Sequence, residues 1–98
     1  MSGLRCQIAP GVTWKEIDGL VVAVHLPSGR YFSLNETASD VWRRALKGED
    51  VSRIGAALAE AYEVDVATAE SDATSCIEEW MKEGLVNSAA SGAAGQPS

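Results

Sequence analysis

Ninety-eight residues, 46% of them hydrophobic and 22% charged, suit a single soluble domain around one modest core. A formal net charge of −6 and a pI near 4.6 oppose a nucleic-acid partner, because a phosphate-binding surface needs clustered Lys and Arg. No run approaches the roughly 18 apolar residues of a membrane helix, and the opening MSGLRCQ lacks the apolar core of a secretory signal, so the expected setting is the cytoplasm, without membrane contact.

Both ends read as loose. Residues 1–9 carry little pattern, and Ser88 to Ser98 is a Gly/Ala/Ser tail with too little apolar bulk to offset its ordering entropy. The working domain is expected at residues 10–87.

The first third of that domain reads as strands. Val12 and Trp14 alternate with Thr13 and Lys15, and Asp18-Gly19 between apolar runs is a tight-hairpin signal. Leu20 to Leu26 is nearly continuous in apolar and β-branched residues, as in a central strand covered on more than one side. Pro27-Ser28-Gly29 forms the next turn. Arg30 to Leu34 then alternates, with Phe32 and Leu34 on one face and Tyr31 and Ser33 on the other.

Three helices follow. Asn35 caps the first, whose stripe is Ala38, Val41, Trp42, Ala45 and Leu46, and Lys47-Gly48 ends it. Asp50 caps the second (Val51, Ile54, Leu58, Ala61, Tyr62) and Asp65 the third (Val66, Ala69, Ala73, Cys76, Ile77, Trp80). Gly84 stops the last helix, after which Leu85 and Val86 fold back. The predicted fold is α+β: a three-stranded antiparallel meander followed by three helices, with Trp14, Trp42 and Trp80 in the core.

Catalysis finds little support. His25 lies within the apolar central strand with no Ser or Cys at motif spacing, and the glycines are isolated turn positions rather than a phosphate-binding loop. Cys6 and Cys76 stand far apart with no ligand-spaced partner, which predicts free thiols and no metal. Neither a cofactor nor an enzymatic activity is expected.

The strand-to-helix passage from Gly29 to Trp42, GRYFSLNETASDVW, resembles that of the PqqD-like family, small winged-helix-like domains that hold the leader of a ribosomally made peptide for its modifying enzymes. The resemblance runs from about Val12 to Val86. It is carried by Gly29-Arg30-Tyr31, Leu34-Asn35, Thr37-Ala38, Trp42, then Ile54, Leu58 and Tyr62, Asp72, and the closing Gly84-Leu85-Val86. Members devoted to pyrroloquinoline quinone (PQQ) tend to carry Ala-Pro-Glu-Arg before the third strand, where this chain has Pro27-Ser28-Gly29-Arg30. The departure resembles instead the stand-alone members that accompany lasso-peptide proteases or radical enzymes.

The resemblance implies a non-catalytic chaperone that binds a leader peptide by strand addition in the cleft between the third strand and the third helix. Its implied second partner is a radical S-adenosylmethionine enzyme, a protease or a cyclase. A meander leaves its third strand at an edge, and no Pro, Lys or bulge between Tyr31 and Leu34 blocks that edge. The peptide is therefore expected along Arg30, Tyr31, Phe32, Ser33 and Leu34. Across the cleft, Ala69, Asp72, Ala73, Cys76, Glu79 and Trp80 lie on adjoining rows of the third helix. The small residues would leave room for a leader side chain, and Asp72, assisted by Glu79, would contact a polar or basic group. Glu78, Glu79 and Glu83 otherwise read as a solvated face. One added strand predicts an affinity near micromolar, about −8 kcal/mol, and the domain is expected to act as a monomer.

Two other functions fit the same elements. A winged-helix DNA-binding regulator would use the third helix in the major groove, but that helix carries Glu70, Asp72, Glu78, Glu79 and Glu83 against Lys82 alone. A structural subunit could dock on an enzyme without touching its substrate.

Overall fold

The computed structural model describes residues 4–89. Strand β1 (Cys6–Ile8) opens the chain, followed by β2 (Val12–Ile17), β3 (Leu20–His25), β4 (Arg30–Ser33), α1 (Glu36–Leu46), α2 (Val51–Tyr62), α3 (Val66–Lys82) and a short β5 (Val86–Ser88). β2, β3 and β4 form an antiparallel sheet in that order, so the expected α+β plan of a meander followed by three helices is the one observed.

Local chemistry sets the boundaries. Asp18 and Gly19 adopt φ of 57° and 82°, the left-handed pair a tight hairpin demands, and they set Ile17 directly opposite Leu20. Asn35, Asp50 and Asp65 cap the helices, their side chains accepting from the backbone N–H of Ala38, Arg53 and Thr68.

The helices cover one face of the sheet. Val21 and Ala23 of β3 meet Val41, Trp42, Ile54, Ala73, Ile77 and Leu85 in one buried cluster. Trp42 packs edge-on against Trp14 at 6.1 Å and Trp80 at 5.1 Å, so the three indoles span the core as expected. Buried Ser39 joins helix to sheet, its hydroxyl accepting from Val21 N–H at 2.8 Å and donating to Leu34 C=O at 3.3 Å. α2 and α3 approach closely at Gly55, where a Cβ would stand 2.8 Å from Glu70 Cα. An outer strut ties α1, α2 and the hairpin together. The Asp40 carboxylate accepts from Tyr62 at 2.8 Å and from Arg43 at 2.9 Å, and Arg43 reaches Glu16 at 3.3 Å.

The N-terminal segment departs from expectation. Instead of being loose throughout, residues 1–9 include β1, which pairs antiparallel with β5 in the register Cys6–Ser88, Gln7–Asn87 and Ile8–Val86. Cys6 is buried, Ala9 N–H bonds Leu85 C=O, and Leu4 C=O accepts from Val51 N–H. A three-residue strand has no room to display periodicity, and its partner is the chain folding back after Gly84 at the far end of the sequence. Ser88, the first residue of the expected tail, belongs to β5; residues 90–98 of that tail lie outside the described residues, as do residues 1–3.

Candidate functional site

β4 hydrogen-bonds only to β3 within the sheet, which leaves its other edge unpaired among the described residues. The turn that delivers it is built from polar groups. Gly29, at φ 76°, donates its N–H to His25 C=O at 2.8 Å, and the Ser28 hydroxyl shares a 2.7 Å hydrogen bond with His25 Nδ1 while accepting from Arg30 N–H. His25 therefore shapes the entry to β4. At the other end, Leu34 N–H bonds Val21 C=O at 2.9 Å, continuing the ladder into the cap of α1.

Beside this edge stands α3. Arg30 forms an ion pair with Glu83 at 3.0 Å, joining the start of β4 to the cap that ends α3, and its guanidinium lies over the Phe32 ring, 5.1 Å from the centroid. Asp72, Cys76, Glu79 and Glu83 follow one row of α3 at helical spacing. Asp72 and Glu79 are exposed and Cys76 is half-buried. Burial pushes the Cys76 thiol pKa up, and the neighbouring carboxylates of Asp72 and Glu79 push it further in the same direction.

Two hollows open along this row. One of about 350 Å³ is lined by Asn35, Thr37, Ala38, Asp72, Ser75 and Cys76. The other, of about 120 Å³, lies between Thr37, Leu58, Tyr62, Val64, Ala69 and Asp72. Asp72 and Thr37 thus stand on the rim shared by both. A larger hollow of about 520 Å³ lies elsewhere, between Arg5, Gln7, Leu46, Lys47 and Ser88; the open edge and the acidic row are not part of it.

The expected site residues divide into three groups. Arg30 and Phe32 touch one another, and Asp72, Cys76 and Glu79 share the exposed row of α3. Tyr31 and Ser33 point to the opposite face of the sheet, Tyr31 being 71% exposed there. Leu34, Ala69, Ala73 and Trp80 are buried. Ala69 and Ala73 do not hold space open as expected: they lie in the hydrophobic cluster, and Trp80 is covered by Trp42. Glu83 is not a free solvated carboxylate either, because Arg30 claims it. Sequence reasoning missed Asn35, Thr37, Ala38 and Ser75 as lining. Ser75 lies one turn from Asp72, and that spacing was the available signal; the first turn of α1 carried none beyond its cap.

The family model described as Coenzyme PQQ synthesis protein D (PqqD) matches residues 21–86, from the central strand to the end of the fold. The chain belongs to the PqqD family. No curated protein matches it. Among solved structures, that of TbiB1 in complex with the TbiA(beta) leader peptide is similar to this PqqD domain with a TM-score of 0.79 at 29% identity, covering 87% of this chain and 99% of that one. A lasso peptide synthetase B1 complexed with the leader peptide gives a TM-score of 0.80 at 25% identity, covering 85% and 98%. The PqqD match includes β3, β4, all three helices and the start of β5, and so spans both walls of the candidate cleft.

Proposed function

We propose that this PqqD domain binds the leader of a ribosomally made precursor peptide by strand addition along β4 and presents that peptide to a modifying enzyme. The observation that carries the reading is the unpaired β4 edge lying beside the exposed row of α3. The reading gains support from the two similar structures, each of a protein held with a leader peptide. In it, β4 supplies backbone groups from Arg30 to Leu34, Phe32 contacts peptide side chains entering the cleft, and Asp72 with Glu79 faces a polar or basic leader group. The buried Ala69, Ala73 and Trp80 support that wall from beneath.

The domain has no catalytic part in this scheme. Its second partner would be a protease, cyclase or radical enzyme, and the lasso type is favoured by the names of the similar structures. The work would be done in the cytoplasm by residues 10–87, with β1 fastened to β5. No described helix is long and apolar enough to cross a membrane. A regulator bound to DNA is disfavoured by the acidic exposed residues Asp72, Glu78 and Glu79 on α3, which would face phosphates.

The test uses fluorescence anisotropy with the leader of the precursor encoded beside this chain. Strand addition predicts micromolar binding that is lost when alternate backbone amides of the leader are N-methylated, because those N–H groups make the ladder. Equal binding by every N-methylated leader would reject the strand-addition mode.

A further inference from the structure

The sheet has a second face, opposite buried Val21 and Ala23. Strand alternation and register put Ile17, Leu20, Val22, Val24 and Tyr31 together on it, with Ile17 against Leu20 and Val24 against Tyr31. Ile17, Leu20 and Tyr31 are 51%, 40% and 71% exposed. Val22 and Val24, with Thr13 and Lys15, line a hollow of about 290 Å³ between β2 and β3. In a chain that is 22% charged, Lys15 is the lone charged strand residue on this face. Contiguous apolar surface of this kind marks an interaction site, and depletion of charge with an exposed Tyr is the composition of an interface centre.

What covers it follows from its position. Tyr31 belongs to β4, the strand with the open edge, so a peptide strand added there would extend this same face with its own alternate side chains. A protein that covers both the apolar patch and those side chains would bind the loaded domain more tightly than the empty one, a coupling between the two sites. The enzyme that acts on the peptide has to meet the peptide at this junction. A membrane surface is a poorer occupant, since anionic lipid repels a chain of net charge −6 that offers one Lys on the patch.

We propose that this outer face docks the peptide-modifying enzyme and that the added leader strand completes the docking surface, an inference that rests on the strand-addition reading above. Two double variants test it, Ile17→Lys with Leu20→Lys and Ile17→Ser with Leu20→Ser. Both residues are exposed at the hairpin, and a thermal melt checks the fold. The first readout is leader binding by anisotropy; the second is the affinity of the modifying enzyme encoded beside this chain for the domain with and without leader. The expected result is leader binding within about twofold of the parent, enzyme binding weakened about tenfold or more in both variants, and tighter enzyme binding by the loaded parent than by the empty one. Unchanged enzyme affinity in the variants would overturn the proposal, as would a parent dimer in sedimentation velocity that both variants abolish, which would assign the face to self-association. A parent that binds no leader would overturn the underlying reading as well, and the first readout alone reports that.

Discussion

The Arg30 guanidinium lies 3.0 Å from the Glu83 carboxylate, so one ion pair closes an end of the cleft between β4 and α3 over the ring of Phe32. The Arg30 side chain is 60% exposed, and a pair so wet contributes less than about 1 kcal/mol. A double-mutant cycle of Arg30→Ala and Glu83→Ala in urea denaturation is therefore expected to return a coupling below about 1 kcal/mol that shrinks with added salt.

Asp72 stands on the rim between the two hollows, exposed to solvent. Asp72→Lys is expected to leave the thermal melt within a few degrees of the parent and to weaken leader binding about fivefold or more, roughly 1 kcal/mol. Anisotropy checks this. Equal affinity would remove Asp72 from the peptide-binding surface while leaving the β4 edge untouched.

Gly55 sits inside α2, where helix propensity alone favours Ala by about 1 kcal/mol. Its Cβ position lies 2.8 Å from the backbone of Glu70, so α3 must shift to admit even a methyl group. Gly55→Ala is expected to destabilise by about 1–3 kcal/mol in spite of propensity, as a lowered urea midpoint with unchanged slope.

Burial pushes the Cys6 thiol up to about 11 from an ordinary 9.0. The folded state thus holds its proton more firmly than the unfolded chain, and this contribution to stability, complete below the unfolded pKa, is lost as pH rises from about 9 to about 11. The parent is expected to lose stability faster than Cys6→Ala across that window. In the native protein at neutral pH, Cys6 should label slowest with a thiol reagent, and a bound leader should slow the labelling of half-buried Cys76.

The elements that follow from near neighbours were legible in the sequence. Asn35, Asp50 and Asp65 announce their helices because a cap acts on N–H groups three residues away, and Asp18-Gly19 announces its hairpin because only its own φ angles matter. β1 was not legible, since its partner β5 lies at the other end of the chain and three residues display no period. Within the cleft, helical spacing identified the row of Asp72, Cys76 and Glu79. It did not distinguish that row from the next one inward, where Ala69, Ala73 and Trp80 pack into the core. Small residues on a helix suit an open groove and close packing equally well, and only the neighbouring elements decide between them. Glu83 was misread for the same reason: its partner Arg30 belongs to a distant strand.

The central claim is that a leader peptide adds to β4 beside α3, and an amide chemical-shift titration of the isotope-labelled domain tests it most directly. With the leader encoded beside this chain, at moderate salt, the account predicts saturable shifts concentrated from Arg30 to Asn35 and at Asp72, Ser75, Cys76, Glu79 and Glu83. Shifts gathered instead around Arg5, Lys47 and Ser88, or no shifts at any leader concentration up to millimolar, would contradict it.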